Sequence, residues 1–339
     1  MSHTKRVLAL FDAVGPTKLD QDLSEELKTK DWATEVSVLE ALDALGYAHE
    51  HQAIYDDTDL IRQKIERFAP DVIFNLVDRF KGNSAFDQNI VSFLEIQDIP
   101  FTGCGSTGLT LCKHKGIAKK VLGYHRIRIP DFAILAKGRR IHRPRRLKFP
   151  IFIKPLEEEA STGIAQASLV ENDEQFNERV AFIHGQFGQD AIVEEYIDGR
   201  ELYVGVLGNE RLQVLPIREL VFREVPTDGP RFATFKAKWD DAYRKRWGIE
   251  NEFATGLDEG LVAKIQQLCR KIYRLLLIDG YARLDLRLTP GNDIVFIEAN
   301  PNPILAKDED FAQAAEKGGI AYPRLIDRII ELGESALRE

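Results

Sequence analysis

Tyr281-Ala-Arg-Leu-Asp-Leu-Arg-Leu-Thr289, then Pro290-Gly-Asn-Asp293, then Ile294-Val-Phe-Ile-Glu-Ala-Asn300 reads as a β-hairpin. The first run alternates, with Leu284, Leu286 and Leu288 on one face and Arg283, Asp285 and Arg287 on the other. Pro-Gly-Asn-Asp is a turn with a mechanism: proline fixes φ, and glycine or asparagine supplies φ > 0. With those four residues as the loop, Thr289 pairs with Ile294, Asp285 faces Glu298 and Arg283 faces Asn300. Two carboxylates directly across a ladder repel each other. A hard divalent cation such as Mg²⁺ relieves that repulsion and takes carboxylate, amide and phosphate oxygens as ligands. Asp285, Glu298 and Asn300 offer such a set and leave positions for nucleotide phosphates. The alternative is that Asp285 and Glu298 merely pair with Arg283 and Arg287 on a solvated face.

Working outward, Leu261, Ile265, Leu268, Ile272 and Leu275 repeat every three or four residues, an amphipathic helix before the hairpin. Helices are predicted after it at 309–317 and 322–332. The first third alternates strand and helix. Strands are predicted at 7–11, 53–55 and 71–77, and helices at 35–45 (stopped by Gly46), 60–68 and 85–96. Such alternation predicts a parallel sheet with helices on its faces. Glycine-rich 101–108 leads into a predicted helix at 109–122 and marks a boundary. No Gly-Lys-Ser/Thr follows it, so it is not a phosphate loop of that type. Strands at 149–155, 163–170 and 191–197 with a helix at 175–183 make a separate α+β unit. Strands at 201–207 and 213–220 precede a long polar stretch, 222–256, that contains Pro226, Gly229 and Pro230 and reads as a lid.

The bulk numbers exclude several classes. The 339 residues suggest two or three packing units, and 44% hydrophobic with 29% charged residues is ordinary for a soluble protein. A net charge of -8 gives no support for nucleic-acid binding. Cys104, Cys112 and Cys269 form neither a disulfide framework nor a zinc site, and read as buried apolar residues in a reducing, cytoplasmic setting. The apolar run 7–11 is too short for a signal core or a membrane span. No Gly-x-Gly-x-x-Gly follows the first strand, which weighs against a dinucleotide-binding oxidoreductase.

Three pieces together resemble an ATP-grasp protein of the D-alanine–D-alanine ligase type. They are Phe152-Ile-Lys-Pro155 with Ala160-Ser-Thr-Gly-Ile164, Val193-Glu-Glu-Tyr-Ile-Asp-Gly-Arg-Glu201, and Ala282-Arg-Leu-Asp-Leu-Arg287 with Phe296-Ile-Glu-Ala-Asn-Pro-Asn-Pro303. The resemblance runs from about residue 115 to 332 and implies an α/β and α+β fold in three parts. These are an N-terminal parallel-sheet domain (1–105), a central subdomain (106–197) and a C-terminal subdomain (198–339) with ATP held between the last two. It implies that Lys115 and Lys154 reach the nucleotide phosphates and that Ser161, Thr162 and Gly163 fold over them. Glu194, Glu195, Tyr196 and Ile197 would meet adenine, and Glu201 the ribose hydroxyls. Lys238 would approach the γ-phosphate from a mobile loop. Asp285, Glu298 and Asn300 would hold Mg²⁺ (or Mn²⁺), and Arg283 would stabilise a tetrahedral intermediate. Taken one at a time, Lys115, Lys154 and Lys238 also read as solvated lysines, and Glu201 as a partner of Arg200 or Arg218.

The implied activity is ATP-dependent joining of a carboxylate to an amine. Phosphorylation turns the carboxylate into an acyl phosphate, the amine attacks it, and ADP and phosphate leave; catalysis is positioning and electrostatics. Partners would be small-molecule or peptide acids and amines, with no nucleic acid or membrane, and the family analogy adds a homodimer. A carboxylate kinase or ATPase, or a non-catalytic ATP-binding regulatory module, are the alternatives. The substrate side departs from the family. Asp12-Ala-Val-Gly-Pro-Thr17 lacks the serine and glutamate expected after the first strand, Asp78-Arg-Phe-Lys-Gly-Asn83 replaces Glu-Asp-Gly, and Ile304 replaces a glycine. The expected substrate pair is therefore not two D-alanines.

Overall fold

The computed structural model describes residues 4–158, 161–224 and 232–336. The first unit contains β1 (Arg6–Asp12), α1 (Ala33–Leu45), β2 (Ala48–Ile54), α2 (Asp59–Phe68), β3 (Val72–Leu76) and α3 (Asp87–Ile96). Its strands are parallel in the order β2-β1-β3. β1 is the centre strand, buried on both faces, which is why Val7–Phe11 is a continuous apolar run. α1 stops at Gly46, whose φ of 71° closes the helix, as expected. β2 is longer than the predicted 53–55. Its first half, His49-Glu50-His51, is polar because it lies on the sheet's edge, yet it pairs with β1 residue by residue.

The predicted helix 109–122 is two helices, α4 (Ser106–Lys113) and α5 (Lys115–Tyr124). The chain breaks at His114, whose ψ of 85° leaves the helical region and whose Nδ1 accepts the Ile117 N–H as a cap. Next come β4 (Phe132–Leu135), β5 (Ile151–Pro155), β6 (Leu169–Val170), α6 (Asp173–Gln186) and β7 (Ala191–Glu195), an antiparallel sheet in the order β4-β7-β5-β6 under one helix. The predicted strand 163–170 shrinks to two residues, because Ser161 (φ 60°) and Gly163 (φ 75°) turn the chain instead.

The third sheet is built from β8 (Arg200–Leu207), β9 (Gln213–Val214), β10 (Arg218–Phe222), β11 (Ile249–Phe253), β12 (Tyr281–Leu288) and β13 (Ile294–Pro301), in the order β11-β10-β8-β12-β13 with β9 on β8. Pro216 divides the predicted strand 213–220, since it has no N–H to give the ladder. Within 222–256 lie α7 (Phe235–Trp239), α8 (Asp241–Arg246) and β11; Pro226, Gly229 and Pro230 fall outside the described residues. α9 (Glu259–Leu275) covers the sheet's apolar face, and α4 and α5 pack into the same core through Leu109, Cys112 and Leu122, with Cys104 just before α4. The chain ends in α10 (Asp310–Lys317) and α11 (Tyr322–Ala336). α11 returns to the first unit and packs Leu325, Ile326 and Ile329 against Val7, Val38 and Phe74. All three cysteines are buried and unbridged. Among the described residues no helix is long and apolar enough to cross a membrane.

Candidate active site

The hairpin forms, and Asp285 faces Glu298 while Arg283 faces Asn300, as read from the sequence. The route to that register is different. Leu288, not Thr289, pairs with Ile294, so the loop is one residue longer than the turn Pro290–Asp293. A β-bulge then inserts Ile297 between the pairs Leu286↔Phe296 and Asp285↔Glu298 and restores the count. Asp285 is buried at 4% exposure and Glu298 is half-buried.

Asp285 and Glu298 are held differently. The Arg283 guanidinium forks onto Asp285, Nε donating to Oδ1 at 2.8 Å and Nη2 to Oδ2 at 3.0 Å. The ion pair offered as the alternative reading is therefore present for Asp285, but on a buried face. Burial pushes the Asp285 carboxyl up and Arg283 pulls it the other way. Burial also opposes ionisation of Glu298, yet Lys154, Lys115, Lys238 and Arg283 hold it down at about 2. Lys154 lies 3.7 Å from Glu298 Oε2 and 3.5 Å from Glu194 Oε2. It is 2% exposed, so it does not end its strand in solvent.

A cavity opens between the second and third sheets. It brings together Lys154, Ser161, Glu194, Glu195, Tyr196, Ile197, Glu201, Lys238, Asp285 and Glu298 of the predicted residues, with Phe152 and Phe232 as its aromatic walls. Those two rings meet edge-on at 4.8 Å. Residues 161–164 and 232–235 are tied across its mouth: Ser161 Oγ donates to the Ala233 carbonyl at 3.1 Å, and the Phe235 N–H to the Ile164 carbonyl at 2.9 Å.

The remaining predicted residues stand around this cavity. Thr162, Arg283 and Asn300 line a second, larger cavity, which Lys238 shares. Lys115 is buried and donates to the Glu158 carbonyl. Gly163 sits behind the loop, with its carbonyl held by the buried Arg179. A side chain there would meet Pro155 at 2.7 Å and Phe187 at 2.9 Å. Glu201 pairs with neither Arg200 nor Arg218, which are taken by Glu219 and Asp310. It accepts instead from Arg287 Nη2 at 2.7 Å and from the Tyr203 hydroxyl at 2.8 Å.

Two residues escaped the sequence reading. Arg287 fixes Glu201 and also donates to the Gly199 carbonyl at 2.8 Å. Lys119 is wholly buried, 3.3 Å from Glu194 Oε1, and burial pushes its ammonium down to about 8. Its signal was available: Lys119 is four residues after Lys115, on the same face of α5.

The donor set at the seam fits a divalent cation. Two carboxylates are directly opposed, and Asn300 follows Glu298 on the same face; its buried amide nitrogen, without a partner, is a donor for an anionic oxygen beside them. Around them stand Lys115, Lys119, Lys154, Lys238 and Arg283, cations suited to a polyphosphate. Such a site can neutralise a transferring phosphoryl group and grip a nucleotide by its aromatic walls.

Comparison with known proteins agrees with that geometry. The family model described as "D-ala D-ala ligase C-terminus" matches residues 111–331. A D-alanine–D-alanine ligase of Syntrophobacter fumaroxidans is 32% identical over 257 residues, 74% of this chain and 77% of that one. The protein y4sG of Sinorhizobium fredii is 30% identical over 304 residues, 87% of this chain and 86% of that one. The fold matches the crystal structure of D-alanine–D-alanine ligase from Bacillus anthracis complexed with ATP, with a TM-score of 0.76 at 20% identity over 99% of both chains. With its hairpin, its two facing sheets and most of its length matched, this chain belongs to the D-alanine–D-alanine ligase family.

Proposed function

We propose that this protein joins a carboxylate to an amine at the expense of ATP, by way of an acyl phosphate, with release of ADP and phosphate. The observation that carries this reading is the meeting of two cavities at one charged seam. Lys238 lines both, Asp285 and Glu298 close the first, and Arg283 and Asn300 open on the second. ATP occupies the first, with adenine against Glu194, Glu195, Tyr196 and Ile197 and the ribose at Glu201. Lys115, Lys154, Lys238 and the 161–163 loop face the phosphates. Mg²⁺ (or Mn²⁺) belongs on Asp285, Glu298 and Asn300, where it would neutralise phosphate oxygens.

The second cavity takes the acid and the amine. Lys238 and Arg283 hold the carboxylate in line, exclude water from the activated acid and stabilise the oxyanion when the amine attacks. Its lining is strongly charged, with Arg79, Arg218, Arg244, Asp308 and Glu309 among it, and Ile304 reaches the wall. Those residues support acids and amines larger or more polar than D-alanine. The test is a matrix of candidate acids and amines incubated with Mg-ATP, read by mass spectrometry. A ligase forms an amide only in wells holding both partners. ADP release driven by an acid alone, with no amide in any well, would favour the carboxylate kinase.

A further inference from the structure

The catalytic register of the hairpin depends on its bulge. From the turn inward the pairs are Leu288↔Ile294, Arg287↔Val295 and Leu286↔Phe296. Continued without interruption, that ladder would set Ile297 against Asp285 and Glu298 against Leu284. Because side chains alternate, Glu298 and Asn300 would then point with the leucines into the apolar core. The extra residue at Ile297 turns both back to the face of Arg283 and Asp285.

A bulge leaves backbone groups of the extra residue without ladder partners, and buried groups need some other partner. Here the Ile297 carbonyl accepts from Lys119 Nζ at 2.8 Å. The preceding Phe296 N–H donates to the Arg128 carbonyl at 2.9 Å, outside the hairpin. Lys119 is 0% exposed, a costly place for an ammonium unless it is bonded and paired. Glu194 Oε1 is 3.3 Å from it and the Phe296 ring is 5.6 Å below it. A lysine so placed has one strong hydrogen bond, and it goes to the bulge.

We infer that Lys119 is a positioning residue: by holding the Ile297 carbonyl it clamps the bulge and keeps Glu298 and Asn300 turned toward the metal position. The inference rests on the ATP-and-cation reading of the site. It separates Lys119 from Lys115 and Lys154, whose ammonium groups would face the phosphates themselves.

The test is calorimetric titration of the full chain with ADP, once with EDTA and once over a Mg²⁺ series, for wild type, Lys119→Met and Lys119→Gln. Lys119→Met keeps the apolar stem and removes the donor. The Mg²⁺ concentration for half-maximal coupling to ADP should rise by about 10- to 100-fold. ADP affinity in EDTA should move less than about threefold, because the adenine walls are intact. Lys119→Gln keeps an N–H on a side chain one bond shorter, without the charge, and should shift the Mg²⁺ requirement less than Lys119→Met does, with metal-free ADP affinity within about threefold of wild type. Loss of metal-free ADP affinity with an unchanged Mg²⁺ requirement in Lys119→Met would assign Lys119 to the adenine pocket and overturn the clamp. If Lys119→Met does not fold, Lys119→Gln decides, since weakened metal-free ADP binding there with an unchanged Mg²⁺ requirement would overturn the clamp. Wild type that binds ADP with no response to Mg²⁺ would overturn the underlying reading and the clamp with it.

Discussion

Asp285 stands between two demands. Its two oxygens accept the Arg283 fork, and the same carboxylate is proposed as a metal ligand. Both uses are compatible, since each oxygen has a second lone pair. Asp285→Asn removes charge from both. Amide formation should fall by at least about 10²-fold. Loss of charge-assisted bonds to Arg283 should cost stability on the order of 1.5–3 kcal/mol. A denaturant melt beside the turnover assay checks both numbers. Glu35 offers a second, independent prediction. Burial, with Asp12 nearby, pushes its carboxyl up to about 6 from its ordinary 4.5. The folded state therefore binds more protons than the unfolded state between those values. Stability contributed by the neutral carboxyl is full below about 4.5 and is lost as pH rises through about 6. Glu35→Gln should flatten that decline, worth on the order of 2 kcal/mol at neutral pH. Chemical melts between pH 4 and 7 measure it; an unchanged slope would contradict the assignment.

At the scale of elements, the site is a pair of turns closed over a hairpin. Gly163 shows why the 161–164 turn tolerates little change. It needs φ of 75°, and a methyl group would strike the rigid Pro155 ring. Gly163→Ala should destabilise the turn by more than about 1 kcal/mol and raise the KM for ATP, with the midpoint of global unfolding moving less. Comparing KM with the thermal midpoint separates the two effects. The sequence made much of this level legible. The leucine face of β12 and the stop at Gly46 are local signals that appear at their expected places, and the turn at Pro290–Asp293 is present within a loop one residue longer than expected. The failures have physical causes. One too few loop residues and one unseen bulge cancelled, so Asp285 met Glu298 for the wrong reason. A bulge is fixed by partners such as Lys119 on a distant helix, which periodicity does not register. Helix 109–122 broke because the His114 side chain caps the start of α5, and Glu201 chose Arg287 over two nearer candidates because β8 and β12 are adjacent in the sheet.

For the whole molecule, the cavity proposed for the nucleotide lies between the second and third sheets. The 232–235 segment spans them, joined to Ile164 on one side and to Glu201 through the Ala233 N–H at 3.3 Å on the other. A ligand filling that cavity should tie the two units together. Mg-ATP at about 100 times its Kd should add about 2.7 kcal/mol of stability, seen as a rise in melting midpoint that Asp285→Asn diminishes. The central claim is that a carboxylate oxygen is phosphorylated. Once the acid is identified, its carboxylate labelled with ¹⁸O tests this most directly, with the released nucleotide and phosphate analysed by mass spectrometry. The account predicts ADP and inorganic phosphate carrying one ¹⁸O from the acid. Label recovered in AMP, with pyrophosphate released, would contradict it and replace the acyl phosphate with an acyl adenylate.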